Sequence, residues 1–221
     1  MPRHAYISPA KTEEAVNWKN YLKQAFVSLT RIETLVIKRC TIGLPQEFED
    51  RDIYKLISSC PWLNMLRLKY LRYLSEGCLL AELPGVFDRL RKICIEKCSW
   101  VWTEVLGACS IFRNASKFRE LEIRSFYSDE EFWYQPIWDN DQAEIEEPTL
   151  HHLVTVTIND FVGLEHEIAL VGLLLRWSPT LEELKIVRED ADVPNDDCMF
   201  RVLTKLLALP RASSKAKIIV I

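Results

Sequence analysis

One spacing recurs along this 221-residue chain and limits what it can fold into. It is an apolar residue, two variable positions, an apolar residue, one variable position and a third apolar residue. It occurs at Ile32-Leu35-Ile37, Leu63-Leu66-Leu68, Leu90-Ile93-Ile95, Phe118-Leu121-Ile123, Leu153-Val156-Ile158 and Leu181-Leu184-Ile186, with starts 31, 27, 28, 35 and 28 residues apart. The last two apolar positions are two residues apart, the period of a strand that buries one face. A short unit of this kind cannot bury its apolar side alone, so neighbouring copies must stack. The spacings lie at or slightly above the roughly 20–29 residues of leucine-rich repeats.

The segments between the triplets carry a helical period. From 164 to 177, Leu164, Ile168, Val171, Leu174 and Leu175 follow in steps of three and four. Shorter or weaker versions run over 52–59, 103–115 and 198–209, and Thr12 with Glu13 and Glu14 starts a helix within the first 30 residues. Pro84 and Gly85 interrupt the stretch 77–88. Pro61 and Pro179 stand at the same place in their units, just before the triplet, and push Cys60 and Ser178 out of helical geometry. Strand, helix and strand in this order predict a parallel sheet with right-handed crossovers. The expected fold is α/β, a leucine-rich-repeat solenoid whose curved parallel sheet lines the concave side and whose helices lie on the convex side. A doubly wound α/β domain is the alternative, disfavoured because polar residues sit between the apolar ones.

The ninth position of each unit holds Cys40 in the first copy and Cys98 in the third, but Leu71, Phe126 and Phe161 in the second, fourth and fifth. The larger side chains predict a wider, irregular turn after those strands. The organisation expected is a helical segment over 1–30, repeats over 31–160 with an acidic, aromatic insert at 128–148, and a closing unit over 161–221.

Composition excludes several functions. Lys and Arg number 28 against 32 Asp and Glu, a formal charge of −4, without the basic excess that nucleic acid requires. Six glycines and no GxxxxGK[ST] or GxGxxG string leave no glycine-lined phosphate cradle, and no cofactor is expected. The longest apolar stretch, near 168–175, is too short to span a bilayer, and the N-terminus lacks a signal-peptide run. Seven cysteines, an odd and sparse set, point to reduced thiols in cytoplasm or nucleus.

Catalytic and metal constellations are weak. Cys94 lies between two core positions and faces outward, whereas Cys98 faces inward, so the two do not converge on a metal. His151 and His152 would face opposite ways on a strand. Asp160, His166 and Ser178 come with no nucleophile elbow. Glu146-Glu147 and Glu182-Glu183 lie in acidic, solvated stretches. Binding is better supported. Between and beyond the buried positions, one outward column reads Val36, Arg67, Cys94, Glu122, Thr157, Lys185, and the next reads Lys38, Lys69, Glu96, Arg124, Asn159, Val187. Arg67, Lys69 and Lys92 beside Glu120 and Glu122, with Arg124, Thr157 and Lys185, form a mixed-charge surface suited to a protein or peptide partner. The insert holds Trp133 and Trp138 among eight acids and no base. Its aromatics are expected to contact a partner or to fold back on the solenoid edge, plain disorder being the third possibility.

The segment HEIALVGLLLRWSPTLEELKIV, followed by an acidic break and CMFRVLTKLLALPRASSKAKIIVI, resembles the FBD-type ending of plant F-box/LRR proteins. With the upstream triplets the resemblance covers roughly residues 30–221. It implies a helix leading into SPTLEELKI, a second helix ending at LLALPRAS and a final strand KIIVI. It also implies a substrate-recruiting subunit of a cullin-RING ubiquitin ligase, docked through an F-box on a Skp-type adaptor. No F-box-like run precedes residue 30, so the adaptor is expected only if such a segment lies upstream. Two other readings stand beside this one: an F-box-less scaffold or decoy, and a degenerate α/β hydrolase or transferase.

Overall fold

The structure is a computed structural model that describes residues 3–7, 32–38, 60, 62–69, 87, 89–98, 102–115, 117–125, 147–188 and 196–221. Among them, eight strands form one sheet in strictly sequential order. They are β1 (His4–Ile7), β2 (Thr34–Lys38), β3 (Met65–Lys69), β4 (Lys92–Cys98), β5 (Glu120–Ser125), β6 (Thr155–Phe161), β7 (Glu183–Arg188) and β8 (Lys217–Val220). Helix α1 (Trp102–Asn114) joins β4 to β5, α2 (Glu165–Trp177) joins β6 to β7, and α3 (Asp196–Ala208) joins β7 to β8. Every pairing is parallel. A doubly wound sheet reverses its strand order at a switch point; this sheet has no reversal, which sets that alternative aside.

The triplet spacing matches the register. Leu35, Leu66, Ile93, Leu121, Val156 and Leu184 occupy one row across the sheet, and Ile218 continues it in β8. From Leu35 to Leu184 all six are buried and join one apolar cluster with the helices. Helix α1 contributes Val105, Ala108, Cys109 and Phe112, in steps of three and four, and the Phe112 ring stacks on Phe118, centroids 5.5 Å apart. Helix α2 contributes Ile168, Val171, Leu174 and Leu175, and α3 contributes Val202 and Leu206. Removing a Leu or Ile side chain from such a site costs about 2–5 kcal/mol.

In the second to sixth triplets the first apolar residue closes a turn. The N–H groups of Leu63, Leu90, Phe118, Leu153 and Leu181 donate to the carbonyls of Cys60, Phe87, Ala115, Leu150 and Ser178, each three residues back. Two N–H groups at the start of the next strand then share one carbonyl of the preceding unit. Asn64 and Met65 share Glu33, Arg91 and Lys92 share Asn64, Arg119 and Glu120 share Arg91, Val154 and Thr155 share Arg119, and Glu182 and Glu183 share Val154. Ser178, pushed by Pro179, has φ −116° and ψ 82° and ends α2 where the sequence puts the break.

The helix expected over 1–30 overlooks β1. His4–Ile7 lacks the triplet, but the Arg3 carbonyl receives the N–H groups of Glu33 and Thr34, so backbone bonding recruits it as a first rung. Residues 8–31, the expected helix over 52–59, nearly all of 77–88, and the insert up to 146 lie outside the described residues. At the other end, β8 departs from the triplet: Lys215 falls where the first apolar residue would be. The buried Ser213 hydroxyl donates to the Leu181 carbonyl at 2.6 Å instead.

In the copy that carries Phe161 the irregularity lies within the strand rather than in the turn after it, and Leu71 and Phe126 lie outside the described residues. The register between β6 and β7 shifts between Ile158 and Phe161, with Asp160 at φ 57°. A second shift falls in the copy that carries Cys98, between Glu96 and Cys98, so a small ninth residue does not guarantee a regular strand. After β6, Glu167 in the first turn of α2 reaches back, and its buried Oε2 accepts the N–H groups of Val162, Gly163 and Leu164 at 3.0, 2.7 and 3.0 Å. Gly163 has φ +91°, and a Cβ there would lie 2.9 Å from Val202 Cγ2. No helix among the described residues is long and apolar enough to cross a membrane.

Two measurements follow from this packing. Gly163→Ala combines a strained φ with the close approach to Val202 and is expected to lower stability by about 1–3 kcal/mol, read as a lower urea midpoint with unchanged slope. Burial also holds the His166 imidazole at about 4, below its ordinary 6.5. The unfolded chain takes up that proton more readily than the folded one. This contribution is therefore fully present above about pH 6.5 and is lost as pH falls towards 4. Stability is expected to fall between pH 7 and pH 5, and His166→Gln is expected to flatten that part of the stability–pH profile.

Candidate functional site

The face of the sheet opposite the apolar cluster carries the outward columns. Residues two apart along a strand share a face, and parallel register aligns them across strands. One row is Val36, Arg67, Cys94, Glu122, Thr157 and Lys185, continued by Ile219. The row on its C-terminal side is Lys38, Lys69, Glu96, Arg124 and Asn159. The row on the other side is Thr34, Met65, Lys92, Glu120, Thr155, Glu183 and Lys217. Both columns read from the sequence are present; Val187 falls out of the second because the shift at Ile158/Phe161 intervenes.

Charges in these rows pair across strands. Glu96 accepts Arg67 Nη1 on Oε1 at 3.1 Å and Lys69 Nζ on Oε2 at 2.8 Å. Lys92 Nζ lies 2.9 Å from Glu122 Oε2 and 3.9 Å from Glu120 Oε2. Arg124 Nε lies 3.4 Å from Asp160 Oδ2, and Asn159 Nδ2 donates to the Ile123 carbonyl at 3.4 Å. The contact between Lys92 and Glu122 raises the lysine's pKa and lowers the carboxyl's, in each case chiefly through their hydrogen bond. Both stay charged across the neutral range.

Of the residues singled out in the sequence, Arg67, Lys69, Lys92, Glu120, Glu122 and Arg124 therefore form one continuous patch. Thr157 and Lys185 extend its central row. Glu96 and Asp160 were absent from the expected set. Glu96 stands in the second column and could have been found as the acid facing two cations. Asp160 reaches Arg124 only because the β6 bulge turns its backbone to positive φ, which no spacing announces. Trp133 and Trp138 lie outside the described residues.

Cys94 faces this polar side as expected, yet it is buried, between Arg67 and Glu122 in register, with Sγ donating to Glu122 Oε2 at 3.8 Å. Burial, then the Glu122 charge, raises its pKa. Cys98 is buried in the apolar cluster, so the two thiols do face different environments. Burial likewise pushes Cys60 to about 11 and Cys109 to about 12. Thiols held protonated are poor nucleophiles. His151 and His152 occupy an exposed turn before β6 rather than the strand itself. Glu147, placed in a solvated acidic stretch by the sequence, is exposed and pairs with Arg176. No group of three or more His, Cys, Asp or Glu able to hold a metal occurs among the described residues. The arrangement suits non-covalent recognition: a patch of mixed charge, partly desolvated, on a backbone fixed by the sheet.

Comparison with known proteins gives a distant relative. A protein described as an F-box/FBD/LRR-repeat protein of Arabidopsis thaliana is 23% identical over 186 residues, covering 79% of this chain and 42% of the relative. The chain thus spans less than half of that protein's length. No protein-family model matches the chain, and no solved structure does. The similarity and the in-sequence parallel sheet support a likeness to leucine-rich-repeat proteins and hint at a role in protein interaction.

Two outcomes test the patch. Glu96→Ala leaves Arg67 and Lys69 without their shared carboxylate; thermal melts are expected to show a loss of about 1 kcal/mol at low salt that shrinks towards 1 M NaCl. A pulse of iodoacetamide on the native protein, mapped by peptide mass spectrometry, is expected to leave Cys60, Cys94, Cys98 and Cys109 unmodified until urea unfolds the chain.

Proposed function

We propose that this chain is a non-catalytic protein-interaction module, a leucine-rich-repeat solenoid that recognises a protein target on the polar face of its sheet. Parallel strands in chain order are what stacking of a strand–helix unit produces, because each unit contacts chiefly its neighbours. On this reading residues 31–160 are the repeats and 161–221 the FBD-like closing unit. The observation that carries the proposal is the cross-strand patch of Arg67, Lys69, Lys92, Glu96, Glu120, Glu122 and Arg124, with Asp160 at its edge. Charges of mixed sign reject wrong partners and fix register more than they add raw affinity, and arginine is favoured among binding anchors. Thr157 and Lys185 extend the contact, and the proposal includes Trp133 and Trp138 of the insert as aromatic anchors for the partner.

The relative's name includes an F-box, and by analogy the target would be a substrate for ubiquitination. The module would then be the substrate-recognition part of a cullin-RING ligase subunit, in cytoplasm or nucleus. A Skp-type adaptor joins the assembly only through an F-box elsewhere in the protein. Without one, the same face serves a scaffold or decoy.

Affinity capture from cell extract with wild-type protein and the Arg67→Glu/Lys92→Glu variant tests the face. The expected result is a set of proteins held by the wild type and weakened at least tenfold in the variant, whose melting profile stays cooperative. Identical capture by both would remove the sheet face from the proposal. Adaptor binding, assayed on the same material, separates ligase subunit from scaffold.

A further inference from the structure

The last unit ends the backbone ladder in a way the earlier ones do not. The residue before each of the strands β1 to β6 is Arg3, Glu33, Asn64, Arg91, Arg119 and Val154, and each of these carbonyls accepts two N–H groups of the unit that follows. Glu182 holds the same place before β7, and its carbonyl accepts the N–H of Lys217. Ala216 holds it before β8, because Glu183 aligns with Lys217. The Ala216 carbonyl accepts Nη1 of Arg211, a side chain of its own unit, at 2.8 Å. The turn that carries Arg211 is tied down. The Ala212 N–H donates to the Leu175 carbonyl of α2 at 3.1 Å, and the Ser213 hydroxyl donates to the Leu181 carbonyl. The N–H groups of Lys215 and Ala216 return to Ser213, to its Oγ at 3.3 Å and its carbonyl at 3.4 Å.

Among the described residues, β8 pairs with a strand on one side only. Lys217 and Ile221 make backbone bonds to β7 and the residues flanking it. Alternation along a parallel strand turns the N–H and C=O groups of Ile218 and Val220 the other way. An edge of this kind is a template for a further strand. The strand whose register fits it is β1 of a second copy. β1 and β8 stand at the two ends of one parallel sheet, and the row that begins at His4 and Thr34 ends at Lys217. A second copy in that register would bring the N–H groups of Arg3 and His4 to the Ala216 carbonyl, as those of Glu33 and Thr34 come to Arg3. The contact is head-to-tail, and repetition would build an open chain of molecules.

We propose that Arg211 is the stop that prevents this addition, a guanidinium set on the oxygen with which each new strand begins. An incoming strand must displace it from the Ala216 carbonyl. A hydrogen bond from a charged donor is roughly twice as strong as one between neutral groups. Two backbone donors therefore gain little over the bond they replace. The incoming Arg3 also brings a second guanidinium to the place where the displaced one is left, and like charges repel there. The inference does not rest on the target face proposed above, because it concerns the end of the sheet and not the rows across it.

Sedimentation velocity on the full chain, over a range of protein concentrations, tests the assignment. Arg211→Ala, which frees the Ala216 carbonyl, is expected to self-associate at concentrations at least tenfold lower than the wild type does, with a melt that stays cooperative. Arg211→Gln keeps a side chain in the turn but removes its charge, and it is expected to associate in between; it decides the matter if Arg211→Ala does not fold. Val220→Pro removes an N–H that faces away from β7, a place where a strand tolerates proline. Arg211→Ala/Val220→Pro is therefore expected to return to the wild-type behaviour. Arg211 variants that associate no more than the wild type, association that persists with Val220→Pro, or a wild type whose own association is abolished by Val220→Pro would each overturn the proposal.

Discussion

The shared carbonyl at the start of each strand is the constraint on which this architecture rests. Two N–H groups of one unit converge on a single oxygen of the unit before it, from Arg3 through Glu33, Asn64, Arg91 and Arg119 to Val154. Once that contact forms, the next strand has little freedom left. It must run parallel, begin at the same height and present its alternate side chains to the same two sides. The apolar triplets then fall in one row and merge into one core, and the polar residues between them fall in rows on the other face. Stability and surface chemistry thus follow from the same backbone register.

That register explains the contrast between the two faces. On one side Leu66, Ile93, Leu121, Val156 and Leu184 pack with helices whose own apolar residues recur in steps of three and four. On the other, Arg67, Cys94 and Glu122 stand next to one another although they are separated by 27 and 28 residues in the chain. The hydrogen bond between Lys92 and Glu122 keeps both groups charged against the opposing pull of partial desolvation, and burial raises the pKa of the Cys94 thiol. The sheet thus holds charges of both signs side by side at positions fixed by its backbone.

The departures from regularity also have physical work to do. The bulge at the end of β6 brings Asp160 to Arg124, and the loop after it needs the positive φ of Gly163 and the three backbone donors collected by Glu167. A strand that simply ended after Phe161 would leave those N–H groups without acceptors on the way into α2. A buried carboxylate at that point replaces the ladder that the bulge interrupts.

The sequence by itself determined the repeat, the side of each strand that is buried, the helices after β4, β6 and β7, and the break before Pro179. Periodicity and proline geometry are local properties and survive without tertiary contacts. It also determined which residues stand in the outward columns, because alternation along a strand is fixed by the backbone. Only the tertiary structure decided that His4–Ile7 joins the sheet, that Cys94 is buried on a polar face, and that Glu96 bridges Arg67 and Lys69. It alone decided that Asp160 swings to Arg124. Each of these depends on a neighbouring strand supplying a hydrogen bond, a cover or a counter-charge from a distant part of the chain, and no spacing within one strand encodes where that neighbour's side chain will be.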